Sequence, residues 1–198
     1  MSDTIVQNET FVNLINDLGI AGYEPGFNME ALLAADSRYI KDLKINTGNA
    51  LNNTQHLNRK EALLLALAVA ANEKFDLLKN SFATQARDEG ATEAEIAEIV
   101  AITSLMNTNN VFYRFRHFAN KEFYSNHPAG IKMSIMMNPV LGKEFFELVS
   151  LALSAVNGCE MCVNSHEASV LQHGSSESRV FEAVKSAAII KGLISALS

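Results

Sequence analysis

Residues 147–174 read ELVSLALSAVNGCEMCVNSHEASVLQHG. Apolar side chains recur at three- and four-residue spacing up to Val156, the period of a helix with one covered face. Asn157-Gly158 then punctuates the chain and permits a sharp turn. A second helical pattern opens with Cys159 and runs to His173-Gly174. Two helices folded back on one another, with a cysteine pair where the second begins, is the arrangement this stretch predicts.

The same grammar extends along the whole chain. With 10 glycines and 3 prolines in 198 residues, and Ala, Leu and Glu repeating at helical spacing, the fold class is all-α. Helices are expected at roughly 8–19, 29–46, 58–89 with an internal break, 93–107, 110–120, 143–156, 159–173 and 176–196. Gly90 and Gly174 each follow a helical pattern and precede a small polar start, Ala91-Thr92 and Ser175-Ser176, as a C-cap leading into an N-cap should.

Aligning those glycines gives an internal offset of 84 residues, which also matches Leu67 with Leu151, Ala68 with Ala152, Ala71 with Ala155, Asn80 with Asn164 and Glu98 with Glu182. Each unit has an apolar face that the other must cover, so residues 1–198 read as a single domain built from a degenerate repeat, about 55–107, and an active one, about 139–192. At this offset Leu63, Phe75, Leu78 and Phe82 stand where the second unit has Glu147, Cys159, Cys162 and His166. Any chemistry therefore belongs to the second unit.

Composition excludes several classes of function. The formal charge is -6 with no long basic run, which argues against nucleic acid as a partner. The start MSDTIVQNET lacks a basic segment followed by an apolar one, and no apolar stretch reaches the ~18 residues that span a bilayer. The expectation is a cytoplasmic protein with no membrane partner. The aromatic run VFYRFRHF, 111–118, reads in this acidic chain as core or subunit interface rather than as a base-stacking surface.

The two cysteines are three positions apart, too close to staple distant segments. At the start of a helix, unsatisfied backbone N–H groups and the positive end of the dipole favour thiolate over thiol. His166 follows Cys162 by four and Cys159 by seven, so the three share one stripe, and an imidazole there exchanges protons near neutral pH. If the helices pack antiparallel, the Glu147 carboxylate returns to this stripe and completes a proton relay. The candidate catalytic residues are Cys159, Cys162, His166 and Glu147. Two blander readings stand beside this one: a structural disulfide, and a zinc site made of the same four side chains. His173, one residue before Gly174, suits the C-terminal end of a helix dipole, and His56, His117 and His127 have no clustered ligands.

The run NGCEMCVNSHE with Glu147 upstream, spacing E-x11-C-x2-C-x3-H, resembles the alkyl hydroperoxide reductase D proteins of the carboxymuconolactone decarboxylase superfamily. The separate stretch MNTNNVFYRFRHF is similar to theirs too, and the likeness covers roughly residues 55–196. The resemblance implies an all-α, commonly trimeric enzyme that reduces a partner peroxiredoxin of the AhpC type, or organic hydroperoxides directly. Electrons would come from the dihydrolipoamide group of a lipoylated protein, with no tightly bound cofactor and no metal. Carried over by position, Cys162 would attack the oxidant, Cys159 would serve as proton donor and resolving thiol, and Glu147 and His166 would form the relay. One departure is Met161, where some members carry a histidine, so any proton transfer made by that histidine must be supplied otherwise. The superfamily name also raises decarboxylation of a lactone acid, which would leave the CxxC pair without work. A third reading is a metal-binding or redox-sensing module.

Overall fold

The computed structural model describes residues 8–198, so the first seven residues of the start MSDTIVQNET lie outside it. Ten α-helices and one short 3-10 turn, Ser134–Met136, make up the regular structure of the described residues. They are α1 Glu9–Asp17, α2 Phe27–Ala34, α3 Tyr39–Leu51, α4 Arg59–Asn72, α5 Asp76–Asp88, α6 Glu93–Ala119, α7 Glu122–Asn126, α8 Lys143–Val156, α9 Glu160–Gln172 and α10 Glu177–Leu197. The fold is all-α, as the 3.6-residue periodicity requires.

Helices α4 and α8 lie at the centre. Ala62 to Ala70 of α4 and Phe145 to Ser154 of α8 are buried without interruption, the pattern of a helix covered on every side. Helices α6 and α10 pack on both, and α5 and α9 fold back on α4 and α8 respectively. One continuous apolar cluster takes side chains from all of these helices. Helices α1–α3 cover the remaining face and reach the far end of the chain, where the Tyr23 hydroxyl donates to the Leu197 carbonyl at 2.8 Å.

Helices α4 and α5 begin and end 84 residues before α8 and α9, and α6 begins 84 before α10. The stops are alike as well. After α4, α5, α8 and α9, paired N–H groups reach back into the last turn, from Lys74 and Phe75, Gly90 and Ala91, Gly158 and Cys159, and Gly174 and Ser175. This is the double hydrogen bond of a Schellman cap, with the first residue of each pair at positive φ. Thr92 and Ser176 then cap α6 and α10 as expected.

The two units are laced together reciprocally. Glu98 of α6 accepts the backbone N–H groups of Val140 and Leu141, just before α8, at 2.8 and 2.7 Å. Its repeat mate Glu182 of α10 accepts those of Gln55 and His56, just before α4, at 2.9 and 2.6 Å. Burial pushes the Glu182 carboxyl up, but these backbone donors outweigh it and hold it below the usual carboxylate range. Each unit thus closes the entry loop of the other.

Two helix assignments differ from the sequence reading. The expected helix 29–46 is divided into α2 and α3, because Asp36 takes a left-handed conformation (φ 45°) that ends the first segment. The expected helices 93–107 and 110–120 are one helix of 27 residues. Asn107, Thr108, Asn109 and Asn110 have low helix propensity, but Asn107 is tied to Asn72 of α4 and Asn110 to Ser154 of α8 within one continuous helix. The last helix of the first unit runs on to Ala119 and that of the second to Leu197.

Candidate active site

Helix α8 ends at Val156, and Gly158 (φ 69°) turns the chain so that Cys159 becomes the N-cap residue of α9. Cys162 sits on the first turn of α9, and the two cysteines are joined by a disulfide with their Cα atoms 5.3 Å apart. Both are buried. No side chain caps the start of α9, so its N–H groups and the positive end of its dipole are directed at the cysteine pair. That environment stabilises a thiolate once the disulfide is opened.

His166 lies one turn beyond Cys162 and is also buried. Because α9 runs back along α8, the His166 ring meets Glu147 in the second turn of α8, with Nδ1 2.6 Å from Oε2. The other carboxylate oxygen, Oε1, accepts from Lys143 Nζ at 3.0 Å. Glu147 is 3% exposed, so its charge relies on these two partners. Burial pushes the Glu147 carboxyl up, yet the bonds from His166 and Lys143 more than reverse this and keep it below the usual carboxylate range. An ionised carboxylate on Nδ1 fixes the ring's orientation and leaves Nε2 free to exchange a proton.

Cys162 and His166 open onto a cavity of about 290 Å³ whose other walls include Asn109, Tyr113, Met133, Met136 and Met161. All four sequence-nominated residues belong to one site, with the two cysteines bonded, Glu147 on His166, and Cys162 beside His166 on the cavity wall. His56, His117 and His127 do not line it. His173 is the C-cap residue of α9, its Nδ1 2.7 Å from the Ser169 carbonyl. Among the described residues no group of three His, Cys, Asp or Glu side chains is placed to hold a metal ion, and none of the helices is long and apolar enough to cross a membrane.

Sequence reasoning missed two components. Lys143 was legible as a cation four residues before Glu147, the spacing of a helical ion pair. The second component is a chain of carboxamides that ties down the turn before Cys159. Asn107 donates to Asn72, Asn72 to Asn157, Asn157 to Asn110 and Asn110 to the Ser154 hydroxyl, each at 2.9 Å. Arg114 Nη1 adds a bond to the Asn157 carbonyl at 2.5 Å. The spacing of Asn107, Asn110 and Arg114 places them on one stripe of α6, but nothing in their types names the turn they hold.

Comparison with known proteins identifies the family. Residues 126–198 match the model of the carboxymuconolactone decarboxylase family. The chain is 36% identical over 174 residues to "Alkyl hydroperoxide reductase AhpD" of Maricaulis maris (strain MCS10), covering 86% of this chain and 98% of that protein. The chain belongs to the alkyl hydroperoxide reductase AhpD family. A second AhpD, from Mycobacterium ulcerans (strain Agy99), is 39% identical over 171 residues, 86% of this chain and 94% of its own length. The AhpD of Coxiella burnetii (strain Dugway 5J108-111) is 35% identical over 158 residues, 78% of this chain and 88% of its own. The family model covers α8, α9 and α10, and with them Cys159 and Cys162, while the likeness to whole AhpD proteins takes in most of the chain.

Proposed function

We propose that this chain is an antioxidant dithiol–disulfide oxidoreductase that turns over through Cys162 and Cys159. In the reduced protein the Cys162 thiolate attacks the terminal oxygen of an organic hydroperoxide. An S–O bond forms, the O–O bond breaks, and the departing alkoxide takes a proton from the His166 imidazolium held by Glu147. The Cys159 thiol then displaces hydroxide from the sulfenic acid, giving the disulfide and water. With a peroxiredoxin of the AhpC type as oxidant, the same thiolate attacks that protein's disulfide, and Cys159 releases it as a dithiol. The two thiols of a dihydrolipoyl group reopen the Cys159–Cys162 bond by two exchange steps and leave as the cyclic disulfide.

The observation that carries this reading is the convergence of a helix-start disulfide with a buried Glu147–His166 pair on one cavity. No step requires a metal. A cytoplasmic location is part of the same proposal. Self-association, with a trimer as the expected state, is supported by Val111, Phe115 and Phe118, which form an exposed apolar stripe on α6. The exposure of these three side chains supports the interface reading of VFYRFRHF over the core one.

The deciding experiment is turnover of tert-butyl hydroperoxide by metal-free protein with excess dihydrolipoamide, with and without an AhpC-type peroxiredoxin. Turnover that disappears in Cys162→Ser supports the dithiol cycle, and dependence on the peroxiredoxin separates reductase from direct peroxidase. No turnover in any mixture, with both thiols free, sinks the assignment.

A further inference from the structure

Four buried side-chain oxygens among the described residues have no hydrogen-bond partner, and that of Asn109 belongs to a residue lining the Cys162 cavity. A lone hydroxyl can rotate toward whatever acceptor is near, but a carboxamide oxygen has no such recourse, and leaving it unpaired in the interior is costly. The nitrogen of the same amide is scarcely better served: Asn109 Nδ2 lies 3.3 Å from the Met133 thioether, a weak acceptor. Asn109 is 5% exposed, so its amide is withdrawn from bulk solvent. An unsatisfied amide beside a reactive centre is the signature of a group kept for a ligand.

The walls describe that ligand. Met133, Met136 and Met161 with Tyr113 form a soft, adaptable surface suited to an alkyl group. The amide offers one acceptor and two donors. A hydroperoxide has the complementary pair, an O–H that donates and oxygens that accept, whereas a dithiol offers only weak S–H groups.

Building on the function proposed above, we infer that Asn109 is the substrate-binding residue of this cavity and selects an alkyl hydroperoxide over the dithiol donor. The substrate displaces the Met133 thioether from the amide. Its O–H donates to Oδ1, its alkyl chain lies on the methionines, and Nδ2–H donates to the oxygen that carries the electron pair when the O–O bond breaks. Lys143, by contrast, acts through Glu147 and does not reach substrate in this scheme.

The test separates the two half-reactions in Asn109→Leu, which keeps the volume and removes the polar groups. Stopped-flow oxidation of the reduced variant by tert-butyl hydroperoxide is expected to slow about tenfold. Rereduction of its disulfide by dihydrolipoamide should stay within about twofold of wild type. Its melting temperature should not fall, and a rise of about 2 °C fits removal of an unpaired buried amide. Oxidation at the wild-type rate, equal slowing of both half-reactions, or a large loss of stability overturns the assignment. A second measurement needs no variant: the Asn109 side-chain ¹⁵N resonance is followed as oxidised protein is titrated with tert-butanol, an unreactive alkyl compound with the same head-group donor and acceptor. If wild-type thiols resist the hydroperoxide, the proposed function fails; a shift of that resonance still upholds Asn109 as the binding residue, and a stationary one overturns it.

Discussion

Leu63, Leu78 and Phe82 in the first three-helix unit occupy the register positions of Glu147, Cys162 and His166 in the second, and the first three are wholly buried. The backbones around them are equivalent, with matching helix lengths and the same Schellman stops. The polar site is therefore no requirement of the fold, since an apolar set fills the same place in the companion unit. Other mates differ in kind while preserving the contact. Lys60 pairs with Glu95 at 2.8 Å in the first unit, and at the same offset Glu144 pairs with Arg179 at 2.9 Å, the signs exchanged. Arg179 also reaches Glu61 across the centre, at 2.7 Å, so the second version binds three helices where the first binds two.

The severest way to break the comparison is to install the first unit's residue at the thiol. Cys162→Leu should abolish turnover to the uncatalysed background while circular dichroism reports an unchanged helical fold. Next comes the relay: Glu147→Leu with His166→Phe should cut turnover about 100-fold. Urea denaturation of this double variant should show a stability equal to or about 1 kcal/mol above wild type, because replacing a buried pair with apolar residues removes its desolvation cost. His166→Phe alone, which leaves Glu147 with Lys143 as its sole partner, should lose about 2 kcal/mol.

Exchanged charges give the next contrast. Arg179→Ala strands two partly buried carboxylates and should cost about 2 kcal/mol, whereas Lys60→Ala should cost about 0.5 kcal/mol in the same denaturation assay. The turn between the first two helices is smaller again. Lys74 (φ 58°) stands at the left-handed position that Gly158 (φ 69°) fills in the second unit. Lys74→Gly should stabilise by about 1 kcal/mol and Gly158→Lys should destabilise by about as much, since a Cβ is disfavoured there.

The smallest expected effect is in acid. The folded Glu147 carboxyl lies below its unfolded value, so its contribution is complete above the unfolded value, about 4.3, and is lost as pH falls through the folded one. Between about pH 5 and pH 3 the wild-type melting temperature should therefore fall about 2 °C further than that of the Glu147→Leu, His166→Phe double variant. Parallel curves would show that the pair contributes no acid-sensitive stability.

Much of this molecule was readable from residue order, because helices, their stops and their caps are local. The period of the apolar residues, Gly90 and Gly174 as stops, Thr92 and Ser176 as starts, and the grouping of Cys159, Cys162 and His166 on one stripe all follow from spacings within a few turns. Even the return of Glu147 to His166 needed only a tight turn at Asn157-Gly158. What residue order concealed are the groups whose partners lie on other helices. Asn107 to Asn110 reads as a weak point in a helix until Asn72, Ser154 and Asn157 are packed against it. Asn109, two positions from Asn107 on the same helix, faces the cavity instead, and its unpaired oxygen has no signature in sequence. A hydrogen bond between distant segments depends on how helices pack, and helical packing is settled by the summed burial of many side chains rather than by the types of the two that finally meet.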